Sequence, residues 1–233
     1  MKVIQLGVRK QLLTGINQAI PVALAYVPLG LAFGVLANEA GLSVAEATFM
    51  SVMVFTGAGQ YIAIGLIAAG GSMLTIVLAN LLVNLRYSLF STSLVPHLKS
   101  IPTTLASALM LGLTDETYAV AAVHLKENPA TASYLAGLNL TSYLSWVVSS
   151  FAGASLGHMI TNTEQLGLNF ALPAMYTILL VLVISERKHL IVALMSVAVC
   201  LGTAYLFPAT LGNLSNIIIA SLTAATLGVM IKR

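Results

Sequence analysis

Eight apolar stretches succeed one another along this chain, at approximately 16–38, 44–69, 72–95, 103–125, 132–160, 168–185, 189–207 and 213–231. A helix needs about 20 mostly apolar residues to cross the hydrocarbon core of a bilayer, and each stretch comes close to that length. The expected fold is therefore all-α, a polytopic transmembrane helical bundle of about eight spans. Seven is the rival count, because the last two stretches are short and Phe207-Pro208-Ala209-Thr210-Leu211-Gly212-Asn213 between them can turn a re-entrant pair. Little polar sequence is left over: 7% of the residues are charged and 58% hydrophobic, against about 25% charged in a soluble domain. Residues 1–233 thus read as a single integral membrane domain whose solvent is the lipid bilayer.

The distribution of charge sets the expected orientation. With the N-terminus inside, Lys2, Arg9, Lys10, Lys126, Arg187, Lys188, Lys232 and Arg233 all fall on the cytoplasmic side and Lys99 falls outside, which is the bias that membrane insertion produces. Both termini are expected in the cytoplasm, in a cell (plasma or inner) membrane. No basic run reads as a nucleic-acid patch. Met1 to Gly15 has charges but no apolar core followed by a small-residue cleavage site, so it does not read as a removable signal peptide. Cys200 is the single cysteine, which excludes an intrachain disulfide and a cysteine metal cluster. His97, His124 and His189 fall at expected loops or helix ends without a metal-ligand spacing. No metal site and no cofactor are expected.

Gly112-Leu113-Thr114-Asp115-Glu116-Thr117 departs from this pattern, with two adjacent carboxylates in the middle of the fourth stretch. An ionisable side chain at mid-bilayer costs about 2.5–3.5 kcal/mol on insertion scales and normally faces the bundle interior or a wet cavity. Arg86 in the third stretch supplies a counter-charge. The turn Pro96-His97-Leu98-Lys99-Ser100-Ile101-Pro102 joins the two stretches, so an antiparallel hairpin centred near Lys99 brings Asp115 within about one helical turn, ~5 Å, of Arg86. Asp115 and Glu116 lie about 100° apart on a helix: one is expected to pair with Arg86, the other to remain for substrate, water or a proton.

Two stretches carry signs of interruption. Pro21 and Pro28 each remove a hydrogen bond from the first helix, and a break is expected near Pro28. Phe55-Thr56-Gly57-Ala58-Gly59-Gln60-Tyr61 places two glycines and an amide at membrane depth, a second expected break. Interrupted helices mark substrate or ion sites in transporters. The bland alternative is that Gly30, Gly34, Gly57 and Gly59 only allow helices to approach closely. In the third stretch Asn80, Asn84, Tyr87, Ser88 and Ser91 form one polar stripe, with Arg86 on nearly the opposite face, so this helix is expected to be buried on two sides. The fifth stretch repeats the stripe with Asn139, Ser142, Tyr143, Trp146, Ser149 and Gly153, which either line a cavity or bond between helices. Gly153-Ala154-Ser155-Leu156-Gly157 matches a nucleophile elbow, but that pattern needs a strand-turn-helix context. No enzyme is expected.

Five ordered blocks carry a family resemblance: Tyr26-Val27-Pro28-Leu29-Gly30-Leu31-Ala32-Phe33-Gly34, Phe55-Thr56-Gly57-Ala58-Gly59-Gln60, Asn84-Leu85-Arg86, Thr114-Asp115-Glu116-Thr117 and Phe170-Ala171-Leu172-Pro173-Ala174-Met175. Over nearly its full length the chain resembles the AzlC-type branched-chain amino acid permeases, the large subunits of two-component exporters. It departs from the family pattern at Tyr87, where histidine is frequent, and at Asn169, where aspartate is. The resemblance implies a secondary transporter that exports branched-chain or similar small hydrophobic amino acids, ion- or proton-coupled, with a small AzlD-type membrane subunit as partner. Candidate substrate or proton residues are Pro28, Gly57, Gly59, Gln60, Asn84, Arg86, Asp115 and Glu116. The competing reading is a structural or assembly subunit whose buried charges only lock helices together.

Overall fold

The computed structural model describes residues 7–157 and 187–208, together with 167, 170, 173–174, 177, 180–181, 184, 219–220, 223–224 and 226–228. The described residues form helices joined by short turns, with no strand among them. They fall into two compact units, Met1–Ala171 and Leu172–Arg233. In the first, α1 (Val8–Glu39), α2 (Val44–Met53), α3 (Ala58–Ala68) and α4 (Met73–Leu94) are followed by a 3-10 turn (Val95–Ser100), α5 (Thr103–Met110), α6 (Asp115–Glu127) and α7 (Ala132–Leu156). The second unit contains α8 (Arg187–Leu206). Among the described residues three helices are long and apolar enough to cross a membrane: α1, α4 with its extension to Ser100, and α8. The expected stretches 168–185 and 213–231 lie largely outside the described residues.

The spine of the first unit is the pair α1 and α7. A side chain at Gly15 would strike the backbone at Tyr134, one at Gly30 would strike Ser149, and one at Gly34 would strike the backbone at Ser150 and Ala154. From the other side, Gly137 abuts Leu12 and Gly153 abuts Leu31. The contacts advance together along both sequences, so the two helices run parallel and touch backbone to backbone. Small residues are what permit this in a membrane, where association relies on packing and interhelical hydrogen bonds rather than on the hydrophobic effect. For Gly30 and Gly34, close helix contact is what the structure shows.

The expected break near Pro28 is corrected: α1 continues through Pro21 and Pro28 for 32 residues. Proline leaves the carbonyl four residues earlier without its amide donor, here Asn17 and Leu24; the hydroxyls of α7 bond other carbonyls of the same stretch. Ser145 Oγ donates to the Ala23 carbonyl at 2.8 Å and Ser149 Oγ to the Tyr26 carbonyl at 3.2 Å.

The break expected at Gly57 to Gln60 is present. α2 stops at Met53 and α3 starts at Ala58, with positive φ at Phe55 (38°) and Gly57 (52°). A second break, at 111–114, divides the fourth stretch into α5 and α6. Each of these four half-helices has 8 to 13 residues, about 12–20 Å at 1.5 Å per residue, too short to cross a bilayer alone.

The expectation that α4 is buried on two sides fails. Leu94 is its only buried residue, and Leu78, Leu81, Leu85 and Leu89 are exposed. Those leucines suit contact with lipid, whereas arginine, tyrosine and asparagine are long enough to reach the interior from one side.

Candidate functional site

Both breaks are held by the same three continuous helices, and the residues that hold them include most of the sequence candidates. At the second break, Gly112 and Thr114 interrupt the helix. Thr114 then restarts it: its Oγ1 accepts from the Thr117 amide at 3.2 Å, and Thr117 Oγ1 accepts from the Thr114 amide at 2.8 Å. Asp115 and Glu116 therefore occupy the first turn of α6, where the positive end of the helix dipole favours carboxylates.

Arg86 of α4 pairs with the first of them, Nη1 to Asp115 Oδ2 at 2.9 Å, with side chains 23% and 15% exposed. The hairpin geometry foresaw this meeting. Glu116 turns to another element: the Tyr26 hydroxyl of α1 donates to its Oε2 at 2.7 Å and lies 2.6 Å from Thr114 Oγ1. Asn139 of α7 closes the third side, its Nδ2 donating to the Leu109 carbonyl at 2.7 Å while Gly112 packs against its Cβ. Asp115 and Glu116 thus differ in their partners, a guanidinium for one and a phenol for the other.

The first break has the same three supports. From α1, the Tyr26 ring meets Phe55 edge-on at 6.4 Å, and the Leu29 carbonyl accepts from Tyr61 at 2.6 Å. From α4, the Tyr87 hydroxyl donates to the Thr56 carbonyl at 3.2 Å. From α7, Tyr143 donates to the Val52 carbonyl at 2.8 Å and Trp146 Nε1 donates to Gln60 Oε1 at 2.9 Å. Gln60 is fully buried, and its Nε2 donates to Ser51 across the break at 3.0 Å. Its amide is committed to holding α2, α3 and α7 together.

Of the other candidates, Gly57 is the N-terminal residue of α3's first turn, left without a side-chain cap. Gly59 has Thr56 and Asn80 directly against its Cα. Asn84 sits half-buried on the face of α4 that carries Asn80 and Tyr87. Pro28 lies inside α1, two residues past Tyr26, and at no break.

Tyr26, Tyr87 and Asn139 each tie a continuous helix to an interruption. In the sequence Tyr87 and Asn139 stood in polar stripes and Tyr26 opened the first resemblance block, but no signal assigned any of the three to a break. The break before Asp115 had one, since Thr114 followed by an acidic first turn is a helix-start pattern. The elbow-like stretch ends α7, with Gly153 against Leu31 and Gly157 against Asn38, so those glycines serve helix packing; His158 lies outside the described residues. A separate groove of about 510 Å³ opens at the far end of α6, lined by Gln18, Val120, Val123, His124 and Glu127.

The profile of the AzlC protein family matches residues 21–160, the region that contains both breaks and every candidate residue. Among curated proteins, the inner membrane protein YgaZ of Escherichia coli is 28% identical over 90% of this chain and 88% of its own length. A membrane protein of Archaeoglobus fulgidus is 32% identical over 71% of this chain and 73% of its own. The branched-chain amino acid transport protein AzlC of Bacillus subtilis is 23% identical over 73% of this chain and 67% of its own. No solved structure matches at a significant level. With more than half of its length matched by that profile and a similarly named relative in Bacillus subtilis, the chain is a membrane protein that belongs to the AzlC family.

Proposed function

We propose that this chain is the large subunit of a secondary transporter that exports branched-chain or similar small hydrophobic amino acids across the cell membrane, together with a small membrane subunit. The observation that carries this reading is a pair of interrupted helices framed by the same α1, α4 and α7, the second opening on Arg86, Asp115 and Glu116 and the first tied to it through Tyr26 and Tyr87. A zwitterion needs an anion-binding and a cation-binding point inside the membrane. An interrupted helix offers both, because half-helix N-termini attract a carboxylate while free backbone and side-chain oxygens attract a cation. The name of the Bacillus subtilis relative supports the substrate class.

Coupling is assigned to Glu116. Asp115 is engaged by Arg86, whereas Glu116 is held by a neutral phenol that can remain in place when the carboxylate takes up a proton. Residues 1–233 act as one transport domain with both termini in the cytoplasm.

The mutual neutralisation of Arg86 and Asp115 also favours a second reading, an assembly subunit whose charges only lock helices. Efflux of radiolabelled valine or leucine from cells with and without the protein separates the two. Reconstituted vesicles then test the coupling: transport responds to a pH gradient in the parent, and Glu116→Gln removes that response. A pH-independent parent sinks proton coupling; equal efflux with and without the protein sinks transport.

A further inference from the structure

Beside the first break lies a set of oxygens that the framework does not use. Asn80 and Asn84 are one turn apart on α4, and Tyr87 on the same face reaches the Thr56 carbonyl, so this face looks onto the break. Thr56 Oγ1 and Asn80 Oδ1 both press against the Gly59 Cα closely enough that a side chain there would strike them. Thr56 Oγ1, Asn80 Oδ1 and Asn84 Oδ1 are buried, and none of the three has a hydrogen-bond partner among the described residues. Buried polar atoms are nearly always satisfied, and an exception calls for a ligand or a functional reason. The orientation of Asn80 is fixed, because its Nδ2 donates to the Ile76 carbonyl at 3.1 Å and leaves the oxygen facing Gly59. All three atoms can accept, and two of them cannot donate. Their natural complement is a group rich in donors or a small cation.

We infer that Thr56 and Asn80, which meet at Gly59, together with Asn84 one turn further along α4, form a subsite for a primary ammonium group, the α-amino group of the transported amino acid. This rests on the transport reading above and deepens it. It moves recognition of the ammonium away from Asp115, which Arg86 already neutralises, to neutral oxygens. A bare alkali ion is the other source of the same chemistry, but the N-terminus of α3 lies alongside and its positive dipole end opposes an isolated cation. An ammonium that arrives next to its own carboxylate meets no such opposition. Glycine at 59 follows, since any side chain there occupies the space between the oxygens.

The test uses the purified full-length chain in lipid nanodiscs with four probes: leucine, its 2-hydroxy acid analogue, 3-methylbutylamine and sodium chloride. Thr56→Val keeps the shape and removes the oxygen, Asn80→Ala removes the second, and Gly59→Ala fills the gap. Each is expected to weaken leucine at least tenfold and to leave the hydroxy acid within twofold, with the unfolding temperature and elution profile of Thr56→Val unchanged. 3-Methylbutylamine, which brings no carboxylate to offset the dipole, binds the parent more weakly than leucine and loses affinity in the same variants. If well-folded Thr56→Val and Asn80→Ala bind leucine as the parent does, the subsite is refuted even while transport persists. Sodium affinity falling in the variants, with leucine affinity at saturating sodium unmoved, replaces the ammonium by an alkali ion and overturns the assignment. A parent that binds 3-methylbutylamine through these residues but transports no amino acid keeps the subsite and refutes the transport reading. A parent that binds none of the four refutes the subsite.

Discussion

Arg86 and Asp115 were legible in the sequence because ionisable residues stand out in apolar surroundings. Counting residues back from a short turn brought Arg86 near both carboxylates without deciding between them; the pair formed is with Asp115, at 2.9 Å. Removing either partner leaves an uncompensated, partly buried charge, so Arg86→Met or Asp115→Leu alone should cost about 2–3 kcal/mol, below the full buried-pair penalty because both side chains keep some exposure. The double variant should recover most of that, since apolar replacement of a whole buried pair is often neutral. Thermal unfolding of the four proteins gives the cycle, and leucine efflux gives the second readout. Recovery of stability without recovery of efflux fits a transport role; recovery of both reduces the pair to a structural lock. Tyr26 was not legible, because its partners come from a helix 88 residues further on and a tyrosine among apolar residues has many possible uses. Tyr26→Phe takes the phenol from both Thr114 and Glu116, and a buried hydrogen bond of this kind is worth about 1–2 kcal/mol. Unfolding should show that loss in the parent and a smaller one in a Glu116→Ala background; equal losses in both would mean that the hydroxyl does not stabilise Glu116.

At the scale of elements, periodicity and length located the apolar stretches but misjudged where they are interrupted. Proline at 28 is a strong local signal, yet α1 runs on through it, packed backbone to backbone against α7; that contact is tertiary and invisible in the local sequence. Gly112 and Thr114 are weaker signals, and here the break is real because Asn139 supports its open end. The same logic separates glycines that are alike in sequence. Gly34 lies in α1 with the backbone of α7 against it, whereas at Gly65 in α3 a Cβ would meet no other atom within 4 Å among the described residues. Gly34→Ala must push two backbones apart, an overpacking cost of about 1–3 kcal/mol. Gly65→Ala meets open space and gains helix propensity, so it should be neutral or stabilising by up to about 1 kcal/mol. Unfolding temperatures of the two variants measure the difference directly. Equal effects would mean that α1 and α7 are not in backbone contact.

For the whole molecule, the parallel course of α1 and α7 has a topological consequence. The intervening residues 40–131 must bring the chain back to the end at which α1 begins, and three apolar stretches lie in that interval. Three passes do this, and two would not. In the proposed orientation, the start of α1 and the 126–131 turn face the cytoplasm and Lys99 lies outside. The single native cysteine makes the arrangement testable, since Cys200→Ser leaves a cysteine-free background. A cysteine placed at Lys99 should react with a membrane-impermeant maleimide added to intact cells, and one at Lys126 should react only after the membrane is opened. Position 233 tests the parity of the passes: after an even number a cysteine there behaves like the one at 126, after an odd number like the one at 99. A re-entrant last pair also returns it to the side of 126, and a cysteine at 210, reached from outside with eight full spans alone, separates these two. Labelling of 99 and 126 from the same side would remove the three-pass return, and with it the membrane depth at which both interruptions are placed.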